Sequence, residues 1–276
     1  MPIPSAAGRP RALVTGASAG LGAEFAARLA HQGHDLILVA RRRDRLDDLA
    51  GRLQRDAGVQ ADVICADLTD AAGLAEVEAR AASDGALSLL VNNAGFAGYH
   101  PFSSLDPKVI DDLIDIHIRA VARLSRAALP GMIARGKGAI INVASLLSLA
   151  STLPPNPLPH RATYAGAKAF MLAFTQCLAG ELAGSGVQMQ ICLPGRVATE
   201  FLAGHHIDKS KLPPEMTAED VVTASLTALA RNETVCIPGL GDPALFAKLS
   251  EAQIAVFRAS AMQSVVADRY RTAAAT

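Results

Sequence analysis

The sequence predicts an α/β protein: a single Rossmann-type, doubly wound parallel sheet of about seven strands with helices on both faces. Three observations carry this reading. Short apolar runs alternate with stretches of helical composition along the 276-residue chain. The runs are apolar over their length, as strands buried on both faces require. The first run passes through a glycine-rich turn into a helix, the opening step of a parallel sheet.

The elements follow in order. Ala12-Leu13-Val14-Thr15 reads as the first strand, Gly16-Ala17-Ser18-Ala19-Gly20-Leu21-Gly22 as the turn, and Ala23 to Ala30 as the helix, with Gly33 as its stop. Glycines there let the backbone approach a phosphate closely, and the helix N-terminus offers N–H groups and a positive dipole end. A tight turn with no ligand is the alternative reading.

Asp35 to Ala40 reads as a second strand, ending in Arg41-Arg42-Arg43. An acidic residue at this strand end accepts from a ribose 2′-hydroxyl; arginine instead suits a 2′-phosphate, so NADP is favoured over NAD. The alternative is a solvated basic turn opening the next helix. Ala61 to Ala66, closed by Asp67-Leu68, and Leu87 to Val91, closed by Asn92-Asn93-Ala94-Gly95, are the third and fourth strands, with a helix over Ala71 to Ala82 between them. Ligands of such sheets sit at the carboxyl ends of the strands, so Gly16, Arg41, Asp67 and Asn93 are expected to converge on one crevice.

Asp106 as N-cap and Pro107 at N1 open a long helix. Its apolar stripe runs through Ile110, Leu113, Ile114, Val121, Leu124 and Ala128, and His117 interrupts it. A buried histidine with satisfied hydrogen bonds is the plain reading. Gly138 to Ser145 is the fifth strand, with Ser145 at its end. Residues 153–160 carry four prolines and form a stiff extended loop. Gln188 to Leu193 is the sixth strand, ending in Pro194-Gly195-Arg196-Val197-Ala198-Thr199. Residues 201–215 are irregular and read as a substrate lid. Thr217 caps a helix to Ala230, Thr234 to Gly239 suggests a seventh strand, and Ala244 to Val266 suits one or two helices. No linker divides the chain, so one domain is expected over 1–276, with residues 1–10 flexible and 272–276 frayed.

Between the proline loop and the sixth strand lies Thr163-Tyr164-Ala165-Gly166-Ala167-Lys168, opening an apolar helix. Tyr164 and Lys168 are four residues apart and share a helix face. A phenol is a poor acid–base catalyst near neutrality; a neighbouring cation favours its phenolate. Taken alone, such a pair is as readily plain helix surface.

Lys+Arg and Asp+Glu balance at 26 each with no basic block, which argues against nucleic acid or an acidic membrane as partner. No apolar run is long enough to span a membrane. Cys65, Cys177, Cys192 and Cys236 lie apart in apolar runs without a C-x-x-C pair, as expected of reduced core cysteines in a cytoplasmic protein. The first ten residues hold no apolar core of the kind a secretion signal needs. His205 and His206 have no further ligands at metal-like spacing, so no metal is expected.

Taken together and in order, the motifs Thr15-Gly16-Ala17-Ser18-Ala19-Gly20-Leu21-Gly22, Asp67, Asn92-Asn93-Ala94-Gly95, Ser145, Tyr164-x-x-x-Lys168 and Pro194-Gly195 resemble the short-chain dehydrogenase/reductase family over roughly residues 10 to 240. The resemblance implies an NADP(H)-dependent oxidoreductase that interconverts a carbonyl and a secondary or primary alcohol. It implies Tyr164 as general acid in reduction and base in oxidation. Lys168 would bind the nicotinamide ribose and lower the tyrosine pKa, and Ser145 would hydrogen-bond the substrate oxygen. Gly16, Ser18, Gly20, Leu21 and Gly22 would surround the pyrophosphate and adjoining ribose. Asp67 and Leu68 would meet the adenine, and Asn93, Ala94 and Gly95 would lie along the cofactor. Pro194, Gly195, Val197 and Thr199 would flank the nicotinamide. Arg41 and Arg42 resemble the NADP-preferring type. A homodimer or homotetramer is implied by analogy.

Two features depart from the family pattern. Histidine stands at 117 where family members carry an asparagine that helps hold a water linked to the lysine. Ser145 lies further ahead of Tyr164 than usual, which the proline-rich segment accounts for as an insertion; Ser148 is the nearer serine. Two other functions stay open: an NADP-binding sensor or scaffold with little chemistry, and an epimerase or dehydratase on the same fold.

Overall fold

The computed structural model describes residues 8–155, 158, 160–202 and 214–271. Seven parallel strands are ordered β3-β2-β1-β4-β5-β6-β7. They are β1 Arg11–Thr15, β2 Asp35–Ala40, β3 Ala61–Cys65, β4 Leu87–Asn92, β5 Gly138–Val143, β6 Val187–Cys192 and β7 Val235–Cys236. The helices are α1 Gly20–His31, α2 Arg43–Ala57, α3 Ala71–Ser83, α4 Pro107–Ile114, α5 Ala120–Ala134, α6 Ala162–Glu181, α7 Ala218–Ala230 and α8 Ala244–Ala261. The doubly wound sheet is therefore as the sequence predicts. Its chain order reverses between β1 and β4, and a crevice opens at the carboxyl ends there.

Strand side chains alternate between two cores, which is why the strands are mostly apolar on both faces. Ala12 and Val14 of β1, with Leu36 and Leu38 of β2, pack on Phe25 and Leu29 of α1 and Leu46 and Leu49 of α2. Leu13, Ile37 and Val39 face the other way, onto Leu74 and Val77 of α3 and Leu124 of α5. Asp106 caps α4 by accepting from the Lys108 N–H at 2.9 Å, and Thr217 caps α7 by accepting from the Asp220 N–H at 3.0 Å.

Two sequence expectations change in detail. Residues Asp115–Arg119, between α4 and α5, form a π-helical turn centred on His117. Ile114 drops out of the buried stripe to 38 % exposure, and Ile116 is buried instead. Only Cys192 and Cys236 are core cysteines; Cys65 is half-buried and Cys177 is exposed, on the outer face of α6. The proposed lid lies mostly outside the described residues, as do His205, His206 and parts of the proline loop and both termini.

The chain divides into two compact units, Met1–Pro238 and Gly239–Thr276. The second contains α8, which has no buried residues. Among the described residues, no helix is long and apolar enough to cross a membrane. No group of three or more potential metal ligands is found among them.

Candidate active site

The crevice is built first from glycines. Gly16 has φ +67°, and a Cβ there would sit 2.9 Å from the Ala94 Cα. A Cβ on Gly22 would overlap the Gly16 carbonyl and the Asn93 amide nitrogen. Gly20 has φ +56°, and its Cβ would press on Thr199 at 3.1 Å. Gly16 and Gly20 therefore need glycine for their conformation, and Gly16 and Gly22 need it for space. Thr15 fixes the facing loop: its Oγ1 accepts from the N–H groups of Asn93 and Ala94, each at 3.0 Å, and the Asn93 side chain donates to the Thr15 carbonyl at 3.0 Å. At the start of α1, no side chain caps the helix and its first turn holds no acid. Uncapped N–H groups, a positive dipole end and a surface that any Cβ would fill make this turn suited to a phosphate.

Beside the turn stand the predicted arginines. Arg42 donates to the Ser18 Oγ from Nη2 at 2.9 Å and from Nε at 3.2 Å. Arg41 pairs with Asp67 at 3.6 Å. Asp67 also accepts from the Thr69 N–H and hydroxyl at 3.0 and 2.8 Å. Burial works against its charge, but the Thr69 bonds and Arg41 outweigh it and hold the carboxyl below its ordinary pKa. The Leu68 side chain is in the core, so a contact with the adenine would come from its backbone.

At the far side of the crevice α6 presents Tyr164 and Lys168, each 3 % exposed. The Tyr164 hydroxyl lies near the side chains of Ser145 and Tyr99, which both act on its titration. Its ring meets Tyr99 edge-on at 5.3 Å, His117 edge-on at 5.5 Å and Phe201 at 6.1 Å. Ser145 lies just past β5 and caps a short 3₁₀ turn, accepting from the Leu147 N–H at 3.1 Å. The nearer Ser148 is otherwise engaged: its hydroxyl lies 2.6 Å from the Ser145 carbonyl and 3.0 Å from the Lys168 carbonyl. Lys168 donates to the Val143 carbonyl at 3.0 Å, and its Nζ lies 5.7 Å from the Tyr164 ring centre.

Burial governs the titration of all three large polar groups here. It lowers Lys168 to about 7 and raises Tyr99 to about 12. It drives Tyr164 well above its ordinary value; Tyr99 adds to the rise and Ser145 opposes it. The resemblance implies that Lys168 lowers the tyrosine pKa; in this geometry burial and Tyr99 raise it and Ser145 opposes them.

His117 completes the wall. It is fully buried, and its Nε2 lies 3.0 Å from the Phe96 carbonyl. A carbonyl only accepts, so Nε2 carries the proton and Nδ1 is left as an acceptor, with no partner among the described residues. A side chain on Gly95 would overlap the imidazole ring, so Gly95 makes room for it. Burial first, then the Lys168 charge, push His117 well below its ordinary pKa. This sets an expected pH dependence of stability. Below about pH 6.5 the unfolded histidine takes up a proton that the folded one refuses, so stability falls with falling pH, by about 1.4 kcal/mol per pH unit for one proton. His34, lowered by burial, adds to the same loss. Denaturant unfolding at pH 7 and pH 5 is expected to show a shallower loss for His117→Asn than for the unmodified protein. Parallel losses would place the acid sensitivity elsewhere.

Several site residues were not singled out from sequence. Tyr99 lies four residues past the Asn-Asn-Ala-Gly run in an irregular segment, where no periodicity marks its direction. Arg161 is buried and donates to the Ala150 and Leu153 carbonyls, each at 2.7 Å, tying the inserted loop to the start of α6. Arg45 and Glu200 form an ion pair beside Arg42. Only Arg45 left a signal, as a further arginine one turn into the helix after the Arg41-Arg42 pair.

Comparison with known proteins agrees with this layout. A short-chain dehydrogenase from Sphingobium yanoikuyae, solved in complex with NADPH, is 38% identical and superposes with a TM-score of 0.89 over 95% of this chain and 100% of its own. The bulky-bulky ketone specific alcohol dehydrogenase from Comamonas testosteroni is 35% identical, with a TM-score of 0.85 over 96% of this chain and 100% of its own. The very-long-chain 3-oxoacyl-CoA reductase of Anas platyrhynchos is 35% identical over 69% of this chain, which spans 60% of that protein's length. Residues 10–209 match the family model for short chain dehydrogenase, and that stretch holds every motif from the glycine turn to Thr199. The chain therefore belongs to the short-chain dehydrogenase family.

Proposed function

We propose that the protein is an NADP(H)-dependent oxidoreductase that interconverts a ketone or aldehyde with its alcohol, with Ser145, Tyr164 and Lys168 as the catalytic set. The observation that carries the reading is the placement of Tyr164 and Lys168, buried and one helical turn apart, with Ser145 beside the phenol at the carboxyl edge of the sheet. A substrate oxygen within reach of both hydroxyls is polarised by Ser145 and receives its proton from the Tyr164 oxygen. When bound, NADPH supplies the hydride. The glycine turn would hold its pyrophosphate, and Arg42 with Ser18 the 2′-phosphate. Lys168 keeps ammonium protons beyond the one given to Val143 for the ribose hydroxyls. Tyr99, His117 and Phe201 exclude water around the phenol.

The names of the relatives make bulky ketones and 3-oxoacyl thioesters the first substrates to test. The decisive experiment follows NADPH oxidation against these and against a panel of simple aldehydes. Turnover of at least one carbonyl is expected, with net consumption of NADPH. Tight NADPH binding with no turnover across the panel would refute the reading, and product without net consumption would point to an epimerase or dehydratase.

The phosphate assignment has its own test. Arg42→Ala is expected to weaken NADPH by roughly tenfold to a hundredfold, the worth of one or two charge-assisted hydrogen bonds, and to leave NADH nearly unchanged. Equal losses for both cofactors would remove Arg42 from the 2′-phosphate site.

A further inference from the structure

Arg42 already has an anion. Its Nη1 meets the Glu200 carboxylate at 3.1 Å, while Nε and Nη2 on the other side of the fork hold Ser18. The same carboxylate accepts from Arg45 Nη1 at 2.8 and 3.0 Å. Arg45 first and then Arg42 hold Glu200 below its ordinary pKa, so it is ionised across the neutral range. Its position is set by the fold. Thr199, the preceding residue, lies against Gly20, so the chain after β6 passes over the glycine turn and delivers Glu200 to the arginines on the far side.

We propose that Glu200 is a specificity-determining residue for the cofactor: its carboxylate neutralises, from Nη1, the guanidinium that would receive a 2′-phosphate, and so sets how strongly NADPH is preferred over NADH. The proposal rests on the reading of Arg42 as the phosphate residue. A guanidinium has one bidentate edge on each side of its fork, and a phosphate carrying nearly two charges competes with a single carboxylate for it. Binding the phosphate then requires Arg42 to leave Glu200, or Glu200 to stay close and repel the new anion. Either course weakens NADPH, and neither touches NADH, whose ribose hydroxyl is uncharged. Arg45 makes this arrangement stable, because it retains Glu200 when Arg42 turns away. The groups around Glu200 are more than two-fifths exposed, so the effect is that of a screened pair and not of a buried one.

The test is equilibrium titration of the unmodified protein, Glu200→Gln and Arg42→Ala with NADPH and with NADH, followed by nicotinamide fluorescence. Glu200→Gln is expected to tighten NADPH by roughly three- to tenfold and to leave NADH within about twofold, with the gain shrinking as salt is raised. An unchanged or weakened NADPH affinity in Glu200→Gln, or an equal shift for both cofactors, would overturn the role of Glu200. If Arg42→Ala separates NADPH from NADH while Glu200→Gln does not, the phosphate reading stands and the Glu200 proposal falls. If Arg42→Ala weakens both alike, both fall.

Discussion

Tyr164→Phe is expected to lower turnover of any reducible carbonyl by about 10³-fold or more, the upper part of the range for losing a positioned general acid and equivalent to about 4 kcal/mol of barrier. The substitution is nearly isosteric. The phenylalanine ring keeps its edge-on contacts with Tyr99 and His117, so the crevice wall stands. What is lost is one hydroxyl, near the side chains of Ser145 and Tyr99. NADPH affinity is expected to stay within about threefold, because the glycine turn and Arg42 are untouched. The check is a single-turnover measurement beside an equilibrium titration. Turnover within tenfold of the unmodified protein would require a different proton donor, and Tyr99 would be the first to examine.

On the proposed assignment, the state of Tyr164 also sets how each direction of the reaction depends on pH. A phenol pushed well above its ordinary pKa is protonated throughout the neutral range, and Tyr99, at about 12, is neutral as well. Carbonyl reduction needs that proton and finds it in place. Alcohol oxidation needs a tyrosinate, which is scarce near pH 7. Oxidation is therefore expected to gain on reduction as pH rises, by up to tenfold per unit.

How far the sequence revealed this site depended on where each signal was local. The strands and the glycine turn are local: uninterrupted apolar runs and closely spaced glycines specify them before any tertiary contact is known. Tyr164 and Lys168 were legible because helical spacing alone puts them on one face. Choosing Ser145 over Ser148 by its place at a strand end agrees with the geometry, in which Ser148 is turned to backbone carbonyls. The Glu200 contact, by contrast, was out of reach. It joins residues 158 positions apart, and nothing in either local pattern names the partner. The π-turn at 115–119 was equally hidden, because a single wide turn leaves the apolar period of α4 and α5 nearly intact. The depressed pKa of Lys168 required knowing how completely the fold desolvates it.

That desolvation leads to the second large effect. Lys168→Met is expected to reduce turnover by about 10²-fold or more while making the protein more stable at pH 6. Burial lowers the lysine from 10.5 to about 7, which amounts to a folding cost on the order of 5 kcal/mol wherever the group is charged in both states. Methionine removes that cost and fills the space, but leaves the Val143 carbonyl without its donor, a loss of about 1–3 kcal/mol. The net gain is therefore a few kcal/mol below about pH 7. Between about pH 7 and 10.5 the unfolded lysine holds a proton that the folded one has released, so the unmodified protein gains stability as pH rises. The advantage of the variant is expected to shrink across that window and to reverse near its upper end. Activity gives an independent reading of the same titration. Tyr164 does not titrate near neutrality, so a loss of reduction as pH rises through about 7 belongs to Lys168, whose charge the ribose contact needs. Urea unfolding of both proteins at pH 6, 8 and 10, beside a pH–rate profile for reduction, measures both. A Lys168→Met variant that is less stable at every pH would mean that the lysine is held charged by a partner rather than stranded by burial.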